Sequence, residues 1–179
     1  MKTPEPRDTY ELVGHKQNER FILKAWEKDK IPHSLLLSGP KGVGKATFAF
    51  RVARFLLNNS GIDQNRQNGL DFGQEIIDET LAVPRENIVS RKVANNAHPN
   101  LLVIQRSENS QTKKIRSEIV FDDLKPLKSF LNLKASDAGW RVVIIDTIDD
   151  MNPNSANAIL KILEAVSYTH LTLPTNREV

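Results

Sequence analysis

A glycine-rich segment of the sequence has the residue types and spacing of a site for phosphate groups. Its residues, Gly39-Pro40-Lys41-Gly42-Val43-Gly44-Lys45, match the first seven positions of the pattern G-x-x-x-x-G-K-[ST]. Glycine allows the backbone of such a loop to turn its N–H groups towards an anion, and the final lysine can reach the β- and γ-phosphates of a nucleotide. We call Gly39–Lys45 the glycine loop, and its sequence predicts a site for ATP or ADP.

The residues at the magnesium-binding positions of this pattern differ from those that rapid ATP hydrolysis requires. The eighth position of the pattern, where a serine or threonine hydroxyl normally binds Mg²⁺, is Ala46, and a hydroxyl follows one residue late at Thr47. One residue on a helix turns a side chain by about 100°, so Thr47 is a poor substitute. Asp146 ends an apolar run and is the natural metal carboxylate beside the loop. We expect nucleotide binding with weak or absent Mg²⁺, and we assign no catalytic residue and no metal site.

The hydrophobic pattern predicts the elements that position these residues. An apolar run at 34–38 predicts a strand buried on both faces in front of the glycine loop. The spacing of Phe48, Val52 and Phe55 predicts a helix over 45–57 behind it. The other predicted elements are helices over 17–30, 121–131 and, in part, 74–96, strands over 101–104 and 141–146, and polar segments over 58–73 and 107–114.

A further helix is predicted near the end of the sequence, with its own start signal. Asn152 can cap this helix, and Pro153 fits its first turn. The residues expected to share its buried face are Ala156, Ile159, Leu160 and Leu163. Strands that alternate with helices in this way are typical of α/β proteins with a parallel sheet.

The composition limits the possible classes of function. The 179 residues fit one domain, 39% of them are hydrophobic, and no apolar run approaches the roughly 20 residues that cross a bilayer. The chain has no cysteine, which excludes disulfides, thiolate zinc sites and cysteine nucleophiles. The start of the chain has no apolar signal segment, so we expect a cytoplasmic protein, and the net charge of +3 permits nucleic acid nearby. The four histidines lack the spacing of metal ligands, so no zinc is expected; they are His15, His33, His98 and His170.

Four segments of the sequence together carry a family resemblance. They are Leu12–His15, His33–Thr47, His98–Leu101 and Asn152–Glu164. In this order and spacing they resemble the delta-prime subunits of bacterial clamp loaders, and the last segment is the most specific of the four. The resemblance covers roughly residues 10–164. It implies a P-loop NTPase fold of the AAA+ type, which is a three-layer α/β fold with a central parallel sheet, truncated here at its C-terminal end.

The resemblance also implies which residues contact the nucleotide. Val13, Gly14 and His15 fall in the region that the family places near the base, and 39–47 fall where it holds the phosphates. The full expected set is Val13, Gly14, Gly39, Pro40, Lys41, Gly42, Val43, Gly44, Lys45, Ala46, Thr47 and Asp146. In AAA+ ATPases a catalytic glutamate usually follows the acid at this strand end, but here Thr147 follows Asp146. Slow or absent hydrolysis is therefore expected.

The same resemblance implies partners. Delta-prime subunits act with the gamma/tau and delta subunits of the DNA polymerase III holoenzyme to load a ring-shaped sliding clamp onto primed DNA, and within that complex they are a stationary scaffold. The Ser-Arg-Cys motif with which such subunits complete a neighbouring ATP site does not occur in this sequence. The cysteine-rich zinc module of many relatives is likewise missing from 87–97.

The segment after Glu164 departs from the family. There the family continues with Glu-Pro-Pro and a strand, whereas this sequence continues Ala165-Val166-Ser167-Tyr168-Thr169-His170. We expect an N-terminal tail over 1–9, an incomplete nucleotide-binding domain over 10–165, and a tail over 166–179 that is not native sequence. The alternation of residues over 168–173 leaves a genuine strand as the alternative.

Three other functions fit parts of the sequence. An active ATPase of the gamma/tau kind would need a hydroxyl at position 46 and an acid at position 147. A small-molecule kinase with a phosphate loop would use Asp146 for its metal, but the Asn152–Glu164 segment argues against it. A DNA-binding module is suggested by scattered basic residues, which are more often a solvated face; they are Lys113, Lys114, Arg116, Lys125 and Lys128.

Overall fold

The computed structural model describes residues 4–60, 80–132, 139–165 and 170–174, the last range as backbone alone. Its strands are β1 (Ser34–Leu37), β2 (Leu101–Gln105), β3 (Val142–Asp146) and β4 (His170–Pro174). Its helices are α1 (Lys16–Glu27), α2 (Lys45–Asn58), α3 (Ile88–Ala94), α4 (Phe121–Asn132) and α5 (Pro153–Ala165), with short 3-10 turns at Pro6–Asp8 and Ile148–Asp150. The strands form one parallel sheet in the order β1-β4-β3-β2, so the fold is mixed α/β, as the sequence predicts.

β3 lies at the centre of the core because both of its faces are covered. Val142 and Ile144 pack with residues of α1, α2 and α3, whereas Val143 and Ile145 pack with residues of α4 and α5. All four side chains are buried. A strand covered on both faces has no need of polar residues at alternate positions, which explains its continuous apolar run.

Parallel pairing brings the carboxyl ends of the strands to one edge of the sheet. β4 lies between β1 and β3, with Leu37 of β1 opposite Pro174 and Ile144 of β3 opposite Thr172. Asp146 at the end of β3 pairs with Gln105 at the end of β2. The glycine loop follows β1 directly, so the sheet places the loop and Asp146 at the same edge.

The predicted elements that fall on described residues are found with small shifts at their ends. α1 ends at Glu27 rather than near residue 30, and the polar segment over 107–114 is a hairpin in which Glu108 bridges Ile115. The predicted partial helix over 74–96 is α3, and the interval 61–79 lies outside the described residues. No helix in the described ranges is both long and apolar enough to cross a membrane.

The predicted tail over 166–179 contains β4, which agrees with the strand interpretation of the alternating residues. Residues 166–169 and 175–179 lie outside the described ranges. The non-native origin of the tail stays a prediction, which resequencing the gene would test.

Two predictions about burial are wrong. β1 is not covered on both faces, because Leu35 and Leu37 pack against the core whereas Leu36, on the other face, is 63% exposed. Leu160 on α5 is also exposed, because the face that packs on the core runs through Ile159, Ile162 and Leu163, and Leu160 is turned about 100° away from Ile159.

The predicted start of α5 is confirmed. The backbone N–H of Ser155 donates to Oδ1 of Asn152 at 2.9 Å, which satisfies one of the free N–H groups of the first turn. Pro153 is the first residue of the helix.

Candidate nucleotide site

The glycine loop connects β1 to α2 through three left-handed residues. Gly39, Gly42 and Gly44 have φ values of 145°, 89° and 92°. Gly44 is the most constrained of them, because a Cβ atom added there would lie 3.2 Å from Cδ1 of Leu12. α2 begins at the next residue, so the positive end of the helix and its free N–H groups lie at the end of the loop.

Lys45 lies inside the loop rather than in solvent. Its side chain is only 7% exposed, and Nζ donates to the carbonyl oxygens of Gly39 at 2.6 Å and Pro40 at 2.7 Å. An ammonium group has three donors, so one remains beyond these two bonds. The loop therefore surrounds a positive charge, which is what recognition of a phosphate group requires.

Asp146 belongs to a group of charges at the carboxyl end of the sheet. Burial raises the pKa of its carboxyl, and repulsion from Asp150 raises it further, against the opposing charges of Arg106 and Lys45. Arg106 and Asp150 form an ion pair, with Nε 3.1 Å from Oδ2. Asp146 therefore lies among charged side chains at the edge of the sheet that also carries the glycine loop.

We predict that Asp146→Asn stabilises the folded chain at neutral pH. A carboxyl whose pKa is raised by folding is destabilised in its ionised form, and the asparagine amide removes that charge with little change in shape. The melting temperature should rise by a few degrees at neutral pH, and the gain should shrink as the pH falls towards 3.8, the ordinary carboxyl value. Thermal unfolding across this pH range measures the effect.

The contrasting variant for this prediction is Asp122→Asn. Its hydrogen bond and ion pair with Lys125 lower the pKa of Asp122, so this substitution should give no gain in stability. A melting temperature for Asp146→Asn equal to or below that of the wild type at neutral pH would contradict the prediction.

The residues at the eighth position of the pattern and beyond it offer little to a metal ion. Ala46 and Thr47 both lie in the first turn of α2, and the Ala46 methyl group has no oxygen to offer. Among the described residues there is no cluster of three or more histidine or acidic side chains suited to a metal ion.

A cavity of about 380 Å³ opens beside the glycine loop. Its walls are mainly apolar, and the residues that line it are His15, Asn18, Phe21, Ile22, Leu35, Leu36, Leu37, Ser38, Val43, Lys45 and Phe48. Val13 does not line it, and its side chain is 90% exposed. Gly14 is exposed too, with a φ of 87°.

His15, to which the sequence gives no catalytic or metal role but which the resemblance places near the base, contacts the loop directly. Its Nε2 lies 2.6 Å from the carbonyl oxygen of Val43, and its ring stacks on that of Phe48 with centroids 5.6 Å apart. The resemblance places His15 with Val13 and Gly14 near the base, but it does not predict this contact with the glycine loop.

The structure thus brings together most of the expected set. The glycine loop, Ala46 and Thr47 are continuous, and Asp146 lies at the same edge of the sheet. The basic residues that suggest DNA binding are elsewhere. Lys113 and Lys114 lie on the hairpin after β2, and Lys125 pairs with Asp122 on α4.

Known proteins resemble this chain along most of its length. A family model described as DNA polymerase III, delta subunit, matches residues 14–178. DNA polymerase III subunit gamma of Buchnera aphidicola subsp. Acyrthosiphon pisum is 24% identical over 159 residues, which cover 89% of this chain and 37% of that protein. Replication factor C small subunit of Methanosphaera stadtmanae is 24% identical over 174 residues, which cover 94% of this chain and 40% of that protein. The chain spans about two fifths of the length of these relatives.

Proposed function

Because this chain belongs to the DNA polymerase III delta subunit family, we propose that it is a clamp-loader subunit of the delta-prime kind. In this role it helps to load a sliding clamp onto primed DNA. The observation that carries the proposal is the glycine loop between β1 and α2, with Lys45 held inside it, in a chain that matches the family over residues 14–178.

The proposed fold is the AAA+ type of P-loop NTPase, with three layers. The parallel sheet supports this fold, as does the presence of helices on both sides of β3. The proposed nucleotide site comprises the glycine loop together with Val13, Gly14, Ala46, Thr47 and Asp146. ATP or ADP would place its phosphates at the loop and the N-terminus of α2. The adjoining cavity of about 380 Å³ leaves room for the rest of the nucleotide.

The bound nucleotide is hydrolysed slowly or not at all. Phosphoryl transfer depends on positioning and on stabilisation of charge by a metal ion, and Ala46 cannot supply the usual hydroxyl ligand. Thr147 stands where a water-orienting carboxylate is expected. The neighbouring acid Asp150 does not replace this carboxylate, because it is already paired with Arg106. Mg²⁺ therefore contributes weakly at this site.

The proposed partners are the other clamp-loader subunits, gamma/tau and delta, and through them the sliding clamp and primed DNA. The protein is a scaffold in this complex and acts in the cytoplasm. The similarity to a gamma subunit of DNA polymerase III and to a small subunit of replication factor C supports this group of partners.

A second candidate is an active ATPase of the gamma/tau kind. The observation that favours it is the similarity to gamma subunits at 24% and 25% identity. The two candidates predict different rates of ATP hydrolysis. A gamma-like enzyme needs a hydroxyl ligand for the metal, where this chain has Ala46, and a water-orienting acid, where it has Thr147.

We predict that the product of the whole gene co-purifies with the gamma/tau and delta subunits and by itself hydrolyses ATP at least about tenfold more slowly than a gamma subunit. Co-expression with affinity capture measures assembly, and phosphate release measures turnover. An Ala46→Ser variant is the matched control for the metal site, and hydrolysis should not rise to the gamma rate because the acid at 147 is still missing. Rapid turnover by the isolated protein without assembly would make it an independent enzyme and overturn the proposal.

A further inference from the structure

We propose that His15 is a positioning residue for the glycine loop. Its ring N–H holds the carbonyl group of Val43 and so keeps the N–H of Gly44 directed towards the phosphate groups of the nucleotide. The inference rests on the proposed function, because it concerns how this loop binds phosphate.

The hydrogen bond from His15 determines the state of its ring. A carbonyl oxygen can only accept, so Nε2, which lies 2.6 Å from the oxygen of Val43, carries the proton. The other nitrogen, Nδ1, lies 3.4 Å from Nδ2 of Asn18, and an amide NH₂ group donates to an unprotonated ring nitrogen. A ring with its proton on Nε2 satisfies both contacts. Stacking on Phe48, which is buried in the first turn of α2, holds the ring in place.

The bond to Val43 determines the direction of the next N–H group. In a trans peptide the C=O and N–H groups point to opposite sides, so the N–H of Gly44 points away from His15. Gly44 adopts a φ of 92° at this point, which glycine reaches without a steric penalty. Inward N–H groups of such a loop are the groups that bind phosphate oxygens.

His15 and Lys45 have different tasks in this arrangement. Lys45 bonds to the carbonyls of Gly39 and Pro40, and these bonds would be exchanged for phosphate oxygens when an anion enters. The bond from His15 comes from the segment before α1 and involves none of the atoms that meet the anion, so it persists in both states. The same segment supports the loop by packing, since a Cβ atom at Gly44 would lie 3.2 Å from Leu12 and 3.6 Å from Nε2 of His15. This explains how the segment can serve the site although the side chain of Val13 is exposed.

A matched pair of amide variants tests the proposal on the full chain. The side-chain nitrogen of glutamine can occupy the position of histidine Nε2, whereas that of asparagine reaches only the position of Nδ1. His15→Asn should therefore weaken binding of ATP and of inorganic tripolyphosphate by roughly five- to tenfold, the usual value of one hydrogen bond, and His15→Gln should stay within about twofold of the wild type. His15→Phe, which keeps the aromatic stack without a donor, should behave like His15→Asn. Binding is measured by calorimetry, with the melting temperature of each variant recorded alongside.

The outcomes separate this inference from the proposed function. If the wild type binds neither ATP nor tripolyphosphate, the proposed nucleotide site fails, and the inference fails with it. If the wild type binds and His15→Asn binds equally well, the inference alone fails. If affinity follows the melting temperature, with His15→Gln as weak as His15→Asn, the role of His15 is only structural and the proposal is overturned. Recovery of phosphate affinity by glutamine and not by phenylalanine supports it.

Discussion

Exchange of Lys45 for methionine is expected to weaken the binding of ATP and ADP by about 100-fold, which corresponds to about 2.7 kcal/mol. The ammonium group is held inside the glycine loop at 2.6 and 2.7 Å from two backbone carbonyls, so its charge already lies beside the phosphate position. Charge-assisted hydrogen bonds to phosphate contribute about 1.5–3 kcal/mol each, and methionine keeps the length and apolar volume of the lysine stem. Isothermal titration calorimetry with both nucleotides measures the loss.

The matched control for this substitution is Lys24→Met. Lys24 is exposed on α1 and lines no part of the cavity beside the loop, so its removal should change affinity by less than about twofold. Because the partners of Lys45 are backbone groups of the loop itself, the fold should survive its replacement, and the circular dichroism spectrum should be retained. Affinity of Lys45→Met within threefold of the wild type would mean that the loop does not bind phosphate, whatever its resemblance to loops that do.

The parts of the fold that the sequence predicts are those with a strong local pattern. β3 is predicted correctly because it contains four consecutive β-branched residues, Val142 to Ile145. A continuous apolar run of this kind is typical of a strand that is covered on both faces. The glycine loop is predicted because its glycines adopt conformations that other residues avoid, so residue type and backbone shape are closely linked. Asn152 is predicted as a helix cap because capping involves only its side chain and the first turn of the helix that follows it.

The parts that the sequence does not predict depend on contacts between distant residues. His15 is 28 positions from Val43, and no local pattern pairs a histidine with a backbone carbonyl of the loop. In β1 only Leu35 and Leu37 pack against the core, whereas Leu36 points to the other face and is exposed, and a run of apolar residues does not reveal which face is covered. Strand order is a tertiary property of this kind, because it is determined by which strands pair across the whole chain.

The burial of Arg54 is another feature that the sequence does not predict. A charged residue in a helix is expected to face solvent, yet Arg54 is only 2% exposed. Its guanidinium group donates to the carbonyl oxygens of Arg7 at 2.8 Å and Thr9 at 3.2 Å, and it lies 4.4 Å from the centre of the Tyr10 ring. Burial of this group lowers the pKa of Arg54. Part of the segment expected to be an N-terminal tail is therefore packed against α2, and only a tertiary contact could reveal it.

Replacement of Glu19 by glutamine is expected to destabilise the fold by about 3 kcal/mol, the usual cost of breaking a buried ion pair. Glu19 on α1 and Arg51 on α2 are both largely buried, with Oε1 2.5 Å from Nε, although the N–H does not point along a hydrogen bond to that oxygen. Arg51 also donates to the carbonyl oxygen of Tyr10 at 2.8 Å and to Thr80 at 3.0 Å, so the ion pair joins two helices and two more distant segments. Loss of the carboxylate leaves the guanidinium charge in a poorly solvated place without its counter-charge.

The stability of the Glu19→Gln variant can be measured by urea unfolding, and its melting temperature should fall by roughly 6–12 °C. Glu27→Gln is the matched control, since Glu27 is exposed on the same helix and its substitution should change stability by no more than about 0.5 kcal/mol. A double variant, Glu19→Gln with Arg51→Met, tests the cause, because removing the orphaned charge should recover much of the loss. If the double variant is instead as unstable as the sum of the two single variants, the loss comes from packing and not from an unpaired charge. α1 would then be held against α2 chiefly by its apolar residues Ile22 and Leu23.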